Sequence, residues 1–271
     1  MTATVGAASG AVIARACADG RAALVGYLPA GFPSFDGCVA ALTAMVEAGV
    51  DVVEVGLPYS DPVLDGPVIQ AAAGRALDNG TRIADVMRTV EAVAATGAGV
   101  VVMTYFNPVL RYGVERFARD LAAAGGSGLI TPDLIPEEAG EWISAADAHD
   151  LERIFLVAPS STTARVASTV QASRGWVYAA STMGVTGARE QTSSLAPALV
   201  QRVRDATSLP VGVGLGVSSG DQAAEVASYA DAVIVGSAFV RPLLDAGDET
   251  AGIAAVADLA VELADGVRRG N

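Results

Sequence analysis

What most limits the fold of this chain is a rhythm. Short runs of apolar, often β-branched residues alternate with Ala-rich stretches of helical spacing from one end to the other. Residues 22–28, 50–56, 99–105, 128–131, 153–157, 176–180, 210–215 and 231–235 read as strands. Residues 36–48, 68–77, 83–95, 114–124, 136–148, 162–172, 195–206, 221–228 and 251–267 read as helices. Ser34 is placed to cap the first of these, and Gly49 to stop it. Strands that are apolar at nearly every position belong to a parallel sheet covered on both faces. Eight β/α units in roughly 250 residues are what a closed (β/α)8 TIM barrel needs. With no linker between the units, the chain reads as one domain, 1–271. A doubly wound open sheet is the alternative, but no G-x-G-x-x-G follows the first strand.

In such barrels the chemistry sits at the C-terminal ends of the strands and in the loops after them. Glu54 lies near one of these ends, interrupting a run of valines where an ionised carboxylate is costly without a partner. Its strand enters a loop stiffened by Pro58, Pro62 and Pro67, which also carries Asp61 and Asp65. Glu54 and Asp65 could face one pocket from two sides. The plainer alternative is a structural Glu bonded to backbone, with the aspartates serving as turn or cap residues. Asp133 follows the fourth strand in the same kind of position.

The second half of the chain repeats a different chemistry. Gly184 to Gly187, Gly212 to Gly216, and Gly236-Ser237 follow the sixth, seventh and eighth strands. Glycine lets backbone N–H groups approach an anion, and barrels often bind phosphate near the last two strands beside a short extra helix. Residues 237–242 are placed to be that helix. The long loop 182–194, with Thr186, Gly187 and Arg189, reads either as a connector or as a lid over a phosphate ester. Tyr27, Tyr105 and Tyr178 fall near strand ends and could wall a flat apolar substrate.

Composition removes whole classes of function. The formal charge of −13 argues against nucleic acid or an anionic membrane as the main partner. All 17 basic residues are Arg, so a lysine Schiff base, including covalent pyridoxal phosphate, is excluded in this chain. One His and two Cys argue against a His- or Cys-built metal centre and against a disulfide framework. The N-terminus lacks the basic-then-apolar pattern of a signal peptide and no run is long enough to span a bilayer, so a cytoplasmic protein is expected.

From Glu54-Val-Gly-Leu-Pro-Tyr-Ser-Asp-Pro-Val-Leu-Asp65-Gly-Pro-Val-Ile-Gln70, the sequence resembles the tryptophan synthase α chains. The likeness extends to Tyr27 and Gly31-Phe-Pro33, Met103 to Pro108, Pro132-Asp133-Leu134, Gly184-Val-Thr-Gly187, Gly214 to Ser218, and Gly236-Ser237. The resemblance implies cleavage of indole-3-glycerol phosphate to indole and glyceraldehyde 3-phosphate. It also implies docking on a pyridoxal-phosphate β chain in an α2β2 heterotetramer, with indole passing through a tunnel and no cofactor in the α chain. By position Glu54 and Asp65 match the two catalytic carboxylates. Gly187, Gly214, Gly216, Gly236 and Ser237 match the phosphate site, and Thr186 the lid threonine. Ser181-Thr-Met183 departs from members that carry a basic residue there.

Loops 58–64 and 107–112, with Pro62, Asn107 and Pro108, read as a docking rim that points Val63, Leu64, Val109 and Leu110 outward. Two rival readings stand beside this one. Another phosphate-binding barrel, such as a sugar-phosphate epimerase or an indole-3-glycerol phosphate-forming enzyme, would call for metal-binding His residues or a catalytic Lys. A catalytically silent activator of a partner chain would need the docking surface but neither carboxylate.

Overall fold

Parallel strands whose edges are unpaired need covering, and here the sheet removes its edges by closing on itself. In a computed structural model that describes residues 6–180 and 195–270, eight strands follow one another around a barrel. They are β1 Ala23–Pro29, β2 Val52–Gly56, β3 Gly99–Met103, β4 Gly128–Thr131, β5 Glu152–Val157, β6 Val177–Ala180, β7 Val211–Gly214 and β8 Ala232–Val235. Each pairs in parallel with the next, and β1 pairs with β8 to close the ring. Every strand lies within two residues of its sequence expectation.

The two faces of each strand meet different company. Leu24, Val53, Val55, Val100, Val102 and Leu129 join the layer between barrel and helices. Val25, Val52, Val101, Ile130, Ile154 and Ile234 fill the barrel interior. Counting in twos along β2 therefore puts Glu54 inside, two residues above Val52. The register sets it between Tyr27 of β1 and Val101 of β3.

The helix cap at Ser34 forms as expected, its Oγ accepting from Gly37 N at 2.9 Å. The C-terminal helix Glu249–Arg269 packs on helices Phe35–Glu47, Gly220–Ala227 and Ser237–Asp245, tying the end of the chain to its first β/α unit.

Three elements differ from the sequence reading. Residues 107–112 are helical, within Phe106–Tyr112, and Val109 is fully buried on the inner face of that turn rather than outward. The stretch 136–148 breaks into a 3-10 turn Pro136–Glu138 and a helix Gly140–Ala148. A further helix, Ser9–Ala18, precedes the barrel and sends Ile13 and Ala16 into the interior from the N-terminal end of the strands. Its N-cap is Ala8, which has no side chain to cap with. The cap comes from 143 residues away: the Glu152 carboxylate accepts from Ser9 N at 3.1 Å, from Gly10 N at 2.9 Å and from Ser9 Oγ. Trp176 Nε1 donates to the same Ser9 Oγ at 2.9 Å. A carboxylate on the first amides of a helix, which have no intrahelical acceptor, is favourable both as a hydrogen-bond acceptor and against the helix dipole.

Glu152→Ala should cost about 2–4 kcal/mol of stability, because it leaves buried helix amides without an acceptor. Denaturant unfolding of the variant against the parent measures this. A loss below about 0.5 kcal/mol would show that the plug does not depend on this contact.

Candidate active site

At the opposite end of the barrel a cavity opens among the C-terminal ends of the strands. Tyr27, Glu54, Asp65, Tyr178, Gly214, Gly216, Gly236 and Ser237 all line it. The structure thus brings together two carboxylates, two tyrosines and the glycine segments of the last two strands. Thr186 and Gly187 lie outside the described residues, as does the rest of loop 182–194.

Glu54 is 1% exposed, and its Oε1 has no hydrogen-bond partner among the described residues. Burial alone pushes its pKa from 4.5 up to about 8. Burial disfavours the charged form of such a carboxyl and so favours a neutral acid toward physiological pH. Its backbone-bonded alternative reading does not hold for that oxygen.

Asp65 sits at the far side of the cavity, in the loop before helix Pro67–Asp78. It is half-buried; desolvation raises its pKa, and a hydrogen bond with the Tyr105 hydroxyl opposes that rise. Tyr27 is held well above the usual tyrosine range, first by burial and then by the charges of Asp65 and Glu54. Tyr178 is raised likewise, by burial and by Glu54. Both hydroxyls are therefore neutral donors at the carboxylates' end of the cavity.

Space for these tyrosines is made by glycines on the neighbouring strands. A Cβ on Gly56 would stand 2.6 Å from the Tyr27 ring, and one on Gly214 would stand 2.9 Å from the Tyr178 ring. Below 3 Å something must shift, so a side chain at either position would displace an aromatic wall of the site.

Ser237 opens helix Ser237–Asp245, with Gly236 as its N-cap. Phe239 N already donates to the Gly236 carbonyl at 2.9 Å, and the helix start at Ser237 lies at the cavity edge with Gly214 and Gly216. This is the anion-binding geometry of a helix N-terminus.

Two predicted residues are placed elsewhere. Asp133 is not among the lining residues; both its carboxylate oxygens accept from Phe106 N, at 3.0 and 3.1 Å, capping helix Phe106–Tyr112 from the next loop. Tyr105 also stands behind the wall, its hydroxyl oxygen accepting from Val63 N and Leu64 N at 3.0 and 2.8 Å. Conversely, Met103, Leu156 and Ile234 line the cavity without having been singled out. The signal for them was present: each lies two residues beyond an inward Val101, Ile154 or Ala232. Leu64, Ile69, Pro132, Ala180 and Leu215 complete the apolar lining.

The docking rim is partly as expected. Val63 is 75% and Leu110 51% exposed, and Asn107 is exposed, whereas Leu64, Pro62 and Pro108 are half-buried. Ile135, in the loop after β4, is a further exposed apolar residue on the same end of the barrel. Among the described residues, no helix is long and apolar enough to cross a membrane.

Comparison with known proteins agrees with this geometry. The family model described as tryptophan synthase alpha chain matches residues 13–268. The tryptophan synthase alpha chain of Acidothermus cellulolyticus is 64% identical over 262 residues, covering 97% of each chain. That of Salinispora tropica is 64% identical over 259 residues, covering 96% of this chain and 97% of its own. A solved structure of Mycobacterium tuberculosis tryptophan synthase superposes with a TM-score of 0.90 at 59% identity, over 97% of this chain and 99% of that one. Subunit alpha from Legionella pneumophila keeps a TM-score of 0.86 at 30% identity, over 95% of this chain and 97% of its own.

The raised pKa of Glu54 has a consequence for stability. The group ionises near 4.5 when unfolded and near 8 when folded. Between those values the folded state holds the extra proton, so stability is fully present below 4.5 and is lost as pH rises through 8. Glu54→Gln is neutral at every pH and escapes that loss. Its stability relative to the parent should climb between pH 5 and 8 at up to ~1.4 kcal/mol per pH unit, then level off. Unfolding curves at several pH values measure the difference; a pH-independent difference would mean that Glu54 ionises normally in the fold.

Proposed function

The chain belongs to the tryptophan synthase alpha chain family, and from that premise we propose that Glu54 and Asp65 are the carboxylates with which it cleaves indole-3-glycerol phosphate. The reaction yields indole and glyceraldehyde 3-phosphate, and the indole serves a β chain in tryptophan synthesis. The observation that carries the assignment is the fully buried Glu54 carboxyl, its Oε1 unbonded among the described residues, lining one cavity together with Asp65.

The chemistry follows from the two environments. The Glu54 carboxyl delivers its proton to indole C3, which converts the ring into a cation and weakens the bond from C3 to the glycerol carbon. The resulting carboxylate takes the proton from the hydroxyl on that carbon. As the O–H electrons form the aldehyde C=O, the C–C electron pair returns to the ring and regenerates indole. Glu54 ends the cycle protonated, as it began. Asp65 accepts a hydrogen bond from the ring N–H, and its negative charge stabilises the cation. No lysine and no electron sink other than the protonated ring takes part.

The apolar wall of Ile69, Met103, Leu156 and the faces of Tyr27 and Tyr178 suits an indole ring. Gly214, Gly216, Gly236 and Ser237 take the phosphate on backbone amides and the Ser237 hydroxyl, and Thr186 and Gly187 are assigned to the same phosphate by the family resemblance. Asp133 and Tyr105 serve the site from behind its wall. The chain works as a single barrel domain, which the closed ring and the C-terminal helix packed across its first unit support.

The β chain, with its pyridoxal phosphate, docks on the rim formed by Pro62, Asn107 and Pro108, in an α2β2 assembly in the cytoplasm. Exposed Val63, Leu110 and Ile135, in the segments after β2, β3 and β4, support this placement, since apolar side chains clustered on one end of a barrel gain by being covered. A sugar-phosphate epimerase or a silent activator accounts for neither the unpartnered Glu54 nor its acidic counterpart.

Glu54→Gln should lose indole formation by roughly 10²-fold or more while still binding glycerol phosphate, because an amide cannot shuttle the proton. Near-normal turnover of the purified variant would refute the role of Glu54. Pro62→Arg should weaken activation by the β chain and spare the activity of the chain alone. Titration with β chain while following indole formation tests this; a wild-type activation curve would move the interface off this rim.

A further inference from the structure

The Tyr105 hydroxyl has an arrangement that substrate contact does not explain. Its oxygen accepts two backbone N–H groups, from Val63 and Leu64, the two residues immediately before Asp65. Two acceptor positions are all that a phenol oxygen offers, so its proton is left to be donated. On the other side of Asp65, its own carbonyl accepts from Gln70 Nε2 at 2.8 Å. The peptide carrying Asp65 is thus held at both ends, by a strand-end tyrosine and by the helix that follows.

Tyr105 is itself held. The Asp133 carboxylate binds Phe106 N with both oxygens, fixing the peptide after Tyr105. Thr104 Oγ1 donates to the Tyr105 carbonyl at 3.1 Å, and the ring packs on Tyr59 at 5.3 Å between centroids. Tyr59 Oη accepts in turn from Asn107 Nδ2 at 3.1 Å.

We propose that Tyr105 is the positioning residue of Asp65: its phenol oxygen gathers the loop amides on the N-terminal side of that carboxylate and fixes where it meets the substrate. Asp133 acts one step further back, by anchoring Tyr105. This rests on the reading of Asp65 as the group that binds the indole N–H. A wall residue would contribute through its ring and would be felt in binding. A positioning residue contributes through its oxygen and is felt in the chemical step, because a displaced charge stabilises the transition state less.

The test compares Asp65→Asn, Tyr105→Phe and the double variant in the complex with the β chain, reading kcat and KM for indole-3-glycerol phosphate. Tyr105→Phe keeps the ring and removes only the oxygen, so kcat should fall roughly 10- to 100-fold with KM nearly unchanged. In the double variant the Tyr105 change should add nothing to the loss from Asp65→Asn, since one acts through the other. Wild-type turnover in Asp65→Asn sinks the reading of Asp65 and this inference with it. Impaired Asp65→Asn beside wild-type Tyr105→Phe, multiplying losses in the double variant, or a raised KM at unchanged kcat, overturns the inference alone. Hydrogen exchange gives a check free of turnover and of any folding defect in the variants. The Val63 and Leu64 amides of the parent should be protected, and exchange at the rate of a solvated loop would overturn the anchor.

Discussion

The site depends on one unfavourable act: a carboxyl group taken out of water into the barrel, with nothing among the described residues to bond one of its oxygens. Everything around Glu54 keeps that state in place. The closed sheet gives it a position inside with no edge through which the strand could shift register. Val52 and Val101 below and beside it are fully buried apolar neighbours, and glycines on flanking strands make space for the Tyr27 and Tyr178 rings. The desolvation that costs stability also holds the proton on the group toward neutral pH, the form in which a carboxyl can act as an acid. Stability and reactivity are set here by the same dielectric, in opposite directions.

The barrel holds a second interior glutamate, and its fate is different. Glu152, at the N-terminal end of β5, is also buried, and burial raises its pKa too, but Ser9 and Gly10 meet both its oxygens with N–H and O–H donors. A carboxylate so bonded, with a donor on each oxygen, is a structural clasp. The contrast between the two residues is a contrast of partners, not of burial, and it falls along the axis that separates the stabilising end of such barrels from the reactive end.

Much of this was legible in the sequence, for physical reasons that can be named. Continuous apolar runs fixed the strands because both faces of a parallel sheet are covered, and Glu54 stood out because valines surround it. The glycine segments after the last strands were legible as backbone approaches, and Gly214, Gly216 and Gly236 do line the cavity. What escaped depended on contacts between distant residues. The helix Ser9–Ala18 has no local cap, because its cap is a strand residue far along the chain. Residues 107–112 looked like a loop because Pro108 and Gly113 punctuate them, yet Pro108 occupies the first turn, where a missing N–H costs nothing, and Asp133 supplies the cap from outside. Asp133 and Tyr105 do lie beyond the ends of their strands, as expected, but their polar atoms turn to the backbone of neighbouring loops rather than to the cavity. Spacing along a chain cannot show that choice, because it depends on where the loops after β2 and β3 come to rest.

The stopper at the base of the barrel bears on traffic. With Ile13 and Ala16 seated among the interior side chains, the strands enclose a vessel with a floor, open at its C-terminal mouth. Whatever enters or leaves the cavity therefore passes through that mouth, among the loops at the C-terminal ends of the strands. By shutting the far end, a helix that precedes the first strand leaves a single face of the barrel for exchange with solvent or with a partner.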